Sequence, residues 1–174
     1  MTRFIKNLYF ASFLLCVVFS TTNCSTNSVS GSANLPNGLV GLKLEMSKED
    51  ARKQLLEIGE FISDAKKNQQ LWRLKNDSHF SQIAVGFDKE NKIRFITAFV
   101  EKDKASEQIR FDEVGDLKNA KAEILPPHYR YTWNVSAEDA VPAYFVSIYG
   151  DNPEIVTMYS IGKTSSTNEE EEDD

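Results

Sequence analysis

Two neighbouring runs of alternating residues constrain the fold of this chain more than any other part of its sequence. Residues 83–87 alternate large and small apolar side chains, the five residues 88–92 are polar, and 93–100 alternate again with apolar residues on both faces. A period of two is typical of β-strands, and a short polar interval between two such runs predicts a hairpin. Because the second run is apolar on both faces, we expect it to lie in the interior of a sheet.

Further short apolar runs predict more strands after this hairpin. They are 109–111, 129–135, 144–149 and 155–161. In one of them Tyr129, Tyr131 and Trp133 fall on a single face of the strand. The Pro126–Pro127 pair before that run must interrupt regular structure, because proline lacks the backbone N–H that a strand or helix uses.

A helix is predicted over 48–58. Ser47 is placed to cap its free N–H groups, and Gly59 is predicted to end it. The apolar residues that recur at spacings of four and three are Ala51, Leu55 and Ile58. Residues 61–67 are predicted to continue as another turn or short helix, and 116–123 to form a second short helix.

A helix followed by strands joined through short turns predicts an α+β fold. We expect a single two-layer domain with a largely antiparallel sheet and one or two N-terminal helices packed on one face. The stretch 25–174 contains no cysteine, so no internal disulfide can stabilise that domain. Its hydrophobic core must therefore be sufficient by itself.

The first 23 residues have the composition of an export signal. Arg3 and Lys6 precede a twelve-residue apolar segment, 8–19. A membrane-spanning helix needs about 20 such residues, whereas the apolar part of a signal peptide has about 7–15. We therefore expect residues 1–23 to be a signal peptide that is removed.

The end of this segment resembles the processing site of bacterial lipoproteins. In that family the cysteine after a short lipobox receives a diacylglycerol thioether and becomes the new N-terminus. Thr22 and Cys24 fit the pattern, while Thr21 and Asn23 replace its usual Leu and its usual Gly, Ala or Ser. The resemblance implies an outer-membrane lipoprotein anchored through Cys24 that faces the periplasm or the surface. Ordinary cleavage with secretion, and an uncleaved signal anchor, remain as alternatives.

The rest of the chain divides by composition into three parts. Residues 24–38 are small and polar and predict a flexible tether, 39–162 predict the globular domain, and 163–174 predict a disordered acidic tail. The chain has 20 basic and 26 acidic side chains, and six of the acids form the terminal run 169–174. Without a basic excess it lacks the electrostatic field that nucleic-acid binding requires, so we do not expect nucleic acid as a partner.

The segment that opens the domain resembles the Gly-Met-Thr-x-x-Gln-Val-x-x-x-Leu-Gly-x-Pro opening of the SmpA/OmlA family, although the final Pro is absent here. These are small envelope lipoproteins that accompany the outer-membrane protein assembly machinery. The positions that match in type are Met46, Ser47, Ala51 and Leu55. Glu45, Asp50 and Leu56 stand where the family has Gly, Gln and Gly. The resemblance implies a two-layer α+β domain on an N-terminal lipid tether.

No catalytic or metal-binding motif stands in the sequence. His79 and His128 have no second histidine or cysteine at ligand spacing, and no Gly-x-Ser-x-Gly nucleophile motif occurs. We therefore expect a non-enzymatic protein that uses neither a metal nor a cofactor.

The aromatic residues are the better candidates for binding, because Trp and Tyr dominate the energetics of many interfaces. The residues chosen as candidate interaction sites are Trp72, Tyr131 and Trp133. The sequence as a whole predicts a cell-envelope lipoprotein that acts as an interaction or scaffold module for an envelope protein. The alternative is a secreted or tethered ligand-binding or inhibitor domain that uses an aromatic sheet face.

The mature protein is expected to begin at a lipid-modified Cys24, because Cys24 is the one cysteine outside the apolar segment. Mass spectrometry of the N-terminal peptide measures this directly, and Cys24→Ala should release the protein from membranes. An unmodified Cys24, or a mature chain that starts elsewhere, would contradict the lipoprotein interpretation.

Overall fold

A computed structural model describes residues 35–101, 108–138 and 141–164 of the chain. The predicted signal peptide, Cys24, most of the predicted tether and the acidic run 169–174 lie outside the described residues.

Within the described residues, ten strands form one large sheet and one small hairpin. The hairpin consists of β1 (Gly38–Leu39) and β2 (Leu42–Lys43). The strands of the large sheet are β3 (Gly59–Lys66), β4 (Gln69–Leu74), β5 (Phe80–Phe87), β6 (Ile93–Val100), β7 (Lys121–Leu125), β8 (His128–Val135), β9 (Tyr144–Gly150) and β10 (Met158–Lys163). The helices are α1 (Lys48–Ile58), the single-turn α2 (Phe111–Val114) and a 3₁₀ helix, Leu117–Asn119.

The large sheet is built from two four-stranded meanders. Its order is β3-β4-β5-β6-β10-β9-β8-β7, and every neighbouring pair is antiparallel. Each meander therefore starts at an outer edge and ends in the middle, where β6 pairs with β10. Thr97 pairs with Ser160 at the centre of that junction, so the two meanders are related by an approximate two-fold axis.

The two meanders carry a tryptophan at the same position of their second strand. Trp72 on the second strand of the first meander pairs with Ile83 on the third. Trp133 on the second strand of the second meander pairs with Val146 on the third. The two tryptophans thus occupy the same place in two copies of one architectural unit.

One face of the sheet is packed and forms the core; we call it the packed face. Ala51 and Leu55 of α1, Leu42 of the hairpin and Phe111 of α2 are all buried against it. The sheet residues that they help to bury include Trp72, Ile83, Val85, Ile96, Val146, Ile148 and Ile161. The other face, which we call the open face, is described with the candidate site.

Several sequence predictions are confirmed. The hairpin of β5 and β6 forms with the expected turn, β6 is an interior strand, and the sheet is antiparallel throughout. The helix α1 spans the predicted residues, and the Ser47 hydroxyl accepts a hydrogen bond from the Asp50 backbone N–H at 3.2 Å. Tyr129, Tyr131 and Trp133 share the packed face of β8.

Other predictions are wrong, and most of them overestimate helix. Residues 61–67 belong to β3 and not to a helix, because Gly59 ends α1 in an extended conformation and leads directly into the sheet. A Cβ atom on Gly59 would stand 2.7 Å from the Arg73 carbonyl oxygen, so only glycine allows this close strand contact. The predicted helix 116–123 is a 3₁₀ turn that gives way to β7.

The strand predicted at 109–111 is also wrong. Arg110 forms only an isolated bridge with Ile155, and α2 begins at the next residue. Since the described residues contain one helix of eleven residues and one of four, the helical share of the fold is smaller than an α+β prediction implies.

Packing extends beyond the predicted domain limits at both ends. Leu35, assigned to the tether, packs against the core, and its carbonyl oxygen accepts a hydrogen bond from the Tyr144 hydroxyl at 2.9 Å. Lys163, assigned to the tail, is the last residue of β10.

Leu55→Ala is expected to lower the free energy of unfolding by about 2–5 kcal/mol, because Leu55 is fully buried and the change leaves a cavity. Leu56→Ala on the same helix is the control, since Leu56 is 58% exposed and its change should stay within about 0.5 kcal/mol. Urea unfolding of the two variants measures the difference. Equal stabilities would contradict the described packing of α1.

Candidate functional site

The structure buries both tryptophans that the sequence offered as interaction residues. Trp72 is 0% and Trp133 3% exposed, so neither presents a surface to a partner. The Trp133 indole N–H donates to the Asp116 carbonyl oxygen at 3.0 Å, which fixes the connection before β7. Tyr131 is half-buried on the same face and its ring lies 5.2 Å from that of Phe111. These side chains hold the core together because strand alternation turns them toward the packed face.

The two tryptophans differ in how their indole N–H groups are satisfied. Trp133 has its carbonyl partner, whereas the Trp72 Nε1 and the nearby buried Gln70 Oε1 have no hydrogen-bond partner within the described residues. A buried polar group without a partner costs free energy. The buried indole N–H therefore lacks a hydrogen-bond partner among the described residues in the first meander, whereas the equivalent N–H in the second meander has one.

The open face has a floor of small side chains along its middle. One row runs across six neighbouring strands and consists of Leu71, Ala84, Thr97, Ser160, Ser147 and Thr132. The Thr97 and Ser160 hydroxyls are 3.0 Å apart, and those of Thr132 and Ser147 are 3.1 Å apart. The hydroxyls thus hydrogen-bond to each other, and the floor is low and mildly polar.

One border of the floor is formed by two phenylalanine rings that lie over glycines. A Cβ atom on Gly86 would stand 2.0 Å from the Phe95 ring, and one on Gly162 would stand 2.7 Å from the Phe145 ring. Each ring therefore lies over the backbone of a neighbouring strand instead of standing upright.

The opposite border combines apolar and charged side chains. Across the sheet it reads Glu60, Arg73, Gln82, Phe99, Met158, Tyr149, Arg130 and Glu123. Phe99, in the middle of this border, is 36% exposed, although phenylalanine side chains are most often buried.

We use the name trough for the floor between the two borders; it crosses the strands, and its side chains are small except for Leu71 at the β4 end. Phe95 and Phe99 mark its two borders and are four residues apart in β6, which corresponds to about 13 Å. The trough spans β4 to β8, or about 24 Å at the usual strand spacing. Such a shape accepts an elongated object, and one α-helix with side chains is about 10–12 Å across.

A cavity of about 540 Å³ lies where this face meets the β7 edge of the sheet. It is lined by Glu123, Ile124, Leu125, His128, Arg130 and Tyr149. The hairpin of β7 and β8 supplies five of these residues, and Pro126–Pro127 form its two-residue turn.

The charges at this cavity are unequally paired. Lys121 Nζ lies 2.9 Å from a Glu123 carboxylate oxygen, and this hydrogen bond and charge are the main cause of the lowered pKa of Glu123. Arg130 reaches the same carboxylate only at 3.5 Å and is about half exposed. Two cations, Lys121 and Arg130, therefore share the Glu123 carboxylate, and Asp151 supplies a second carboxylate beside Tyr149.

His128 and Tyr149 form one wall of the cavity. Their rings are stacked with centroids 5.7 Å apart, and the Tyr149 hydroxyl is in hydrogen-bond contact with His128 Nδ1. Burial is the largest cause of the raised pKa of Tyr149, and a hydrogen bond to the Asp151 carboxylate adds to it. Because a carboxylate only accepts, Tyr149 donates to Asp151 and its oxygen accepts from His128.

A second cluster of charges is structural. Lys163 Nζ lies 2.6 Å from Glu45 and 2.8 Å from Asp88, and thereby ties the end of β10 to the β5–β6 turn and to the entry of α1. Burial alone would raise the pKa of Asp88, but hydrogen bonds from Lys163 and from the backbone of Lys92 outweigh it and lower that pKa. Burial alone would lower the pKa of Lys163, but its two carboxylate partners raise it.

Neither a metal site nor a membrane-spanning helix is present in the described part of the chain. No group of three or more His, Cys, Asp or Glu side chains there is placed to hold a metal ion. No helix among residues 35–101, 108–138 and 141–164 is long and apolar enough to cross a membrane.

No protein-family model matches the chain, and neither a curated protein nor a solved structure does. The resemblance of residues 41–55 to the SmpA/OmlA family therefore stays a prediction.

The sequence interpretation missed the residues of the open face. Alternation in β6 already placed Phe95, Thr97 and Phe99 on one face, but it did not show which face the helix covers. Arg130 and Tyr149 meet only because β8 and β9 pair, a contact between residues far apart in the chain.

Lys163→Met is expected to destabilise the fold mainly between about pH 4 and pH 10. Because the pKa of Asp88 is lowered in the folded protein, the stability that Asp88 contributes is complete above pH 3.8, its usual pKa, and is lost as the pH falls below that value. Because the pKa of Lys163 is raised in the folded protein, the stability that Lys163 contributes is complete below pH 10.5, its usual pKa, and is lost as the pH rises above that value. Lys53→Met is the control, because its pair with Asp50 is 3.5 Å long and highly exposed. Denaturation across this pH range tests both variants, and a pH-independent loss for Lys163→Met would contradict the assigned ion pairs.

Proposed function

We propose that this protein is a non-enzymatic cell-envelope lipoprotein that binds an envelope protein through the open face of its sheet. The observation that carries the proposal is the trough between Phe95 and Phe99, which no described part of the chain covers. A sheet with one buried and one uncovered face is common, but an exposed phenylalanine such as Phe99 on a central strand is a feature of binding surfaces.

The shape of the trough favours a helical segment of the partner. A helix that lies across the strands fits between the two borders and meets small residues below it. Along the second border a partner would bury Phe99 and Met158, and Arg73 and Arg130 stand near the two ends of that border, where they can pair with acidic residues. A row that is apolar in its middle and charged at its ends is consistent with the apolar core and polar rim of protein interfaces.

The proposal also includes the anchor and the finer fold class. A lipid on Cys24 would keep the domain near the outer membrane, and the polar tether would give it reach. Burial of Ala51 and Leu55 supports a two-layer α+β class, with α1 forming part of the second layer.

The alternative is a secreted or tethered ligand-binding or inhibitor domain that uses an aromatic sheet face. The aromatic residues of the open face favour it as they favour the first proposal, with Phe99 and Tyr149 in the place that Trp133 was predicted to take. A helix-sized trough fits a protein partner better than a compact small molecule, so we prefer the interaction module.

A photo-cross-linking amino acid at position 99 is expected to give a discrete protein adduct in intact cells. The same amino acid at Lys53, whose side chain is 77% exposed on α1, is the control and should give none. Electrophoresis and mass spectrometry of the adducts measure the outcome. Equal labelling from the two positions, or no adduct at position 99, would contradict the use of the open face.

A further inference from the structure

The cavity at the β7 edge has features that protein docking in the trough does not explain. It lies at one end of the open face, beyond the small-residue floor, and it combines a guanidinium with exposed apolar residues. Its volume of about 540 Å³ is in the range of small-molecule sites.

Arg130 is the group that is available to a ligand. Glu123, directly opposite on β7, is held by Lys121 at 2.9 Å, and Arg130 adds only a 3.5 Å contact to it. A guanidinium has five N–H donors in a planar fork, and this fork matches the two oxygens of a carboxylate. Because Asp151 supplies a second carboxylate at the Tyr149 wall, the preference for an anion rests on this fork and not on a net positive charge.

The apolar surface beside this cation identifies the rest of the ligand. Leu125 is 74% exposed and lies directly opposite His128 on the face that carries Arg130, whereas Ile124 alternates to the other face, opposite Tyr129. Large aliphatic side chains at the edge of a sheet are unfavourable in water and invite association, so their exposure needs a compensating contact. The stacked rings of His128 and Tyr149 add a second apolar surface that faces the same volume.

We infer that the β7-edge cavity binds a small organic carboxylate with an apolar or aromatic body. The carboxylate pairs with the Arg130 guanidinium, and the body lies between Leu125 on one side and the rings of His128 and Tyr149 on the other. This site shares Arg130 and Tyr149 with the border of the trough, but it goes beyond the proposed function because its ligand is a small molecule and its other residues belong to the β7–β8 hairpin.

The test is equilibrium dialysis of radiolabelled 3-phenylpropanoate against the whole purified chain, with protein-free buffer as the blank. The neutral 3-phenylpropan-1-ol has the same apolar body without the charge. We expect saturable binding of the acid at least tenfold tighter than that of the alcohol, because only the acid pairs with Arg130.

Matched variants assign the binding to this cavity. Arg130→Gln should weaken binding of the acid at least tenfold, and Leu125→Ser should weaken binding of the acid and of the alcohol equally. Arg73→Gln is the control, since Arg73 stands opposite Glu60 at the other end of the same row and lines no part of this cavity. Arg130 is about half exposed, so its variant is expected to fold, and circular dichroism checks this.

Three outcomes would overturn the inference. One is equal affinity for the acid and the alcohol, and another is an equal loss in Arg73→Gln and Arg130→Gln. The third is a concentration-dependent dimer that excludes the acid, which would show that a second copy occupies the β7 edge. None of these measurements depends on the adduct at position 99, so this inference and the proposed function can fail separately.

Discussion

The pairing of β6 with β10 is the interaction on which the rest of the structure depends. It joins two meanders that would otherwise each end in an exposed strand, and it places the Thr97–Ser160 pair at the centre of a continuous eight-stranded sheet within the described residues. The core continues across this junction, because Ala98 and Ile96 on one side meet Tyr159 and Ile161 on the other. The trough on the open face exists for the same reason, since its floor runs through this pair.

The sequence predicted local structure well where one local signal was sufficient. The cap at Ser47, the apolar spacing that buries Leu55 and the alternation of β5 and β6 all follow from neighbouring residues. It failed where pairing with another strand decides the conformation. The segment after Gly59 is extended because it pairs with β4, and nothing within that segment rules out a helix.

The candidate site could be predicted only in part, for the same physical reason. Aromatic residues were expected to form a binding surface, but parity along β8 turns Trp133 inward, toward the face that α2 and the 3₁₀ turn cover. The uncovered surface is instead formed by the alternate residues of the strands, which include Phe99 on β6 and Tyr149 on β9. Which parity faces solvent depends on where the helices pack, and a single sequence without a known relative does not contain that information in a readable form.

The place of β10 in the sheet has a consequence for the order in which the chain can fold. It is the last strand of the described residues, yet it occupies the middle of the sheet between β6 and β9. The central hydrogen bonds cannot form until the chain has been synthesised through β10, and they join residues more than 60 positions apart. Contacts of such long sequence separation form slowly. In a nascent chain of this topology both meanders keep an unpaired inner strand until β10 has left the ribosome.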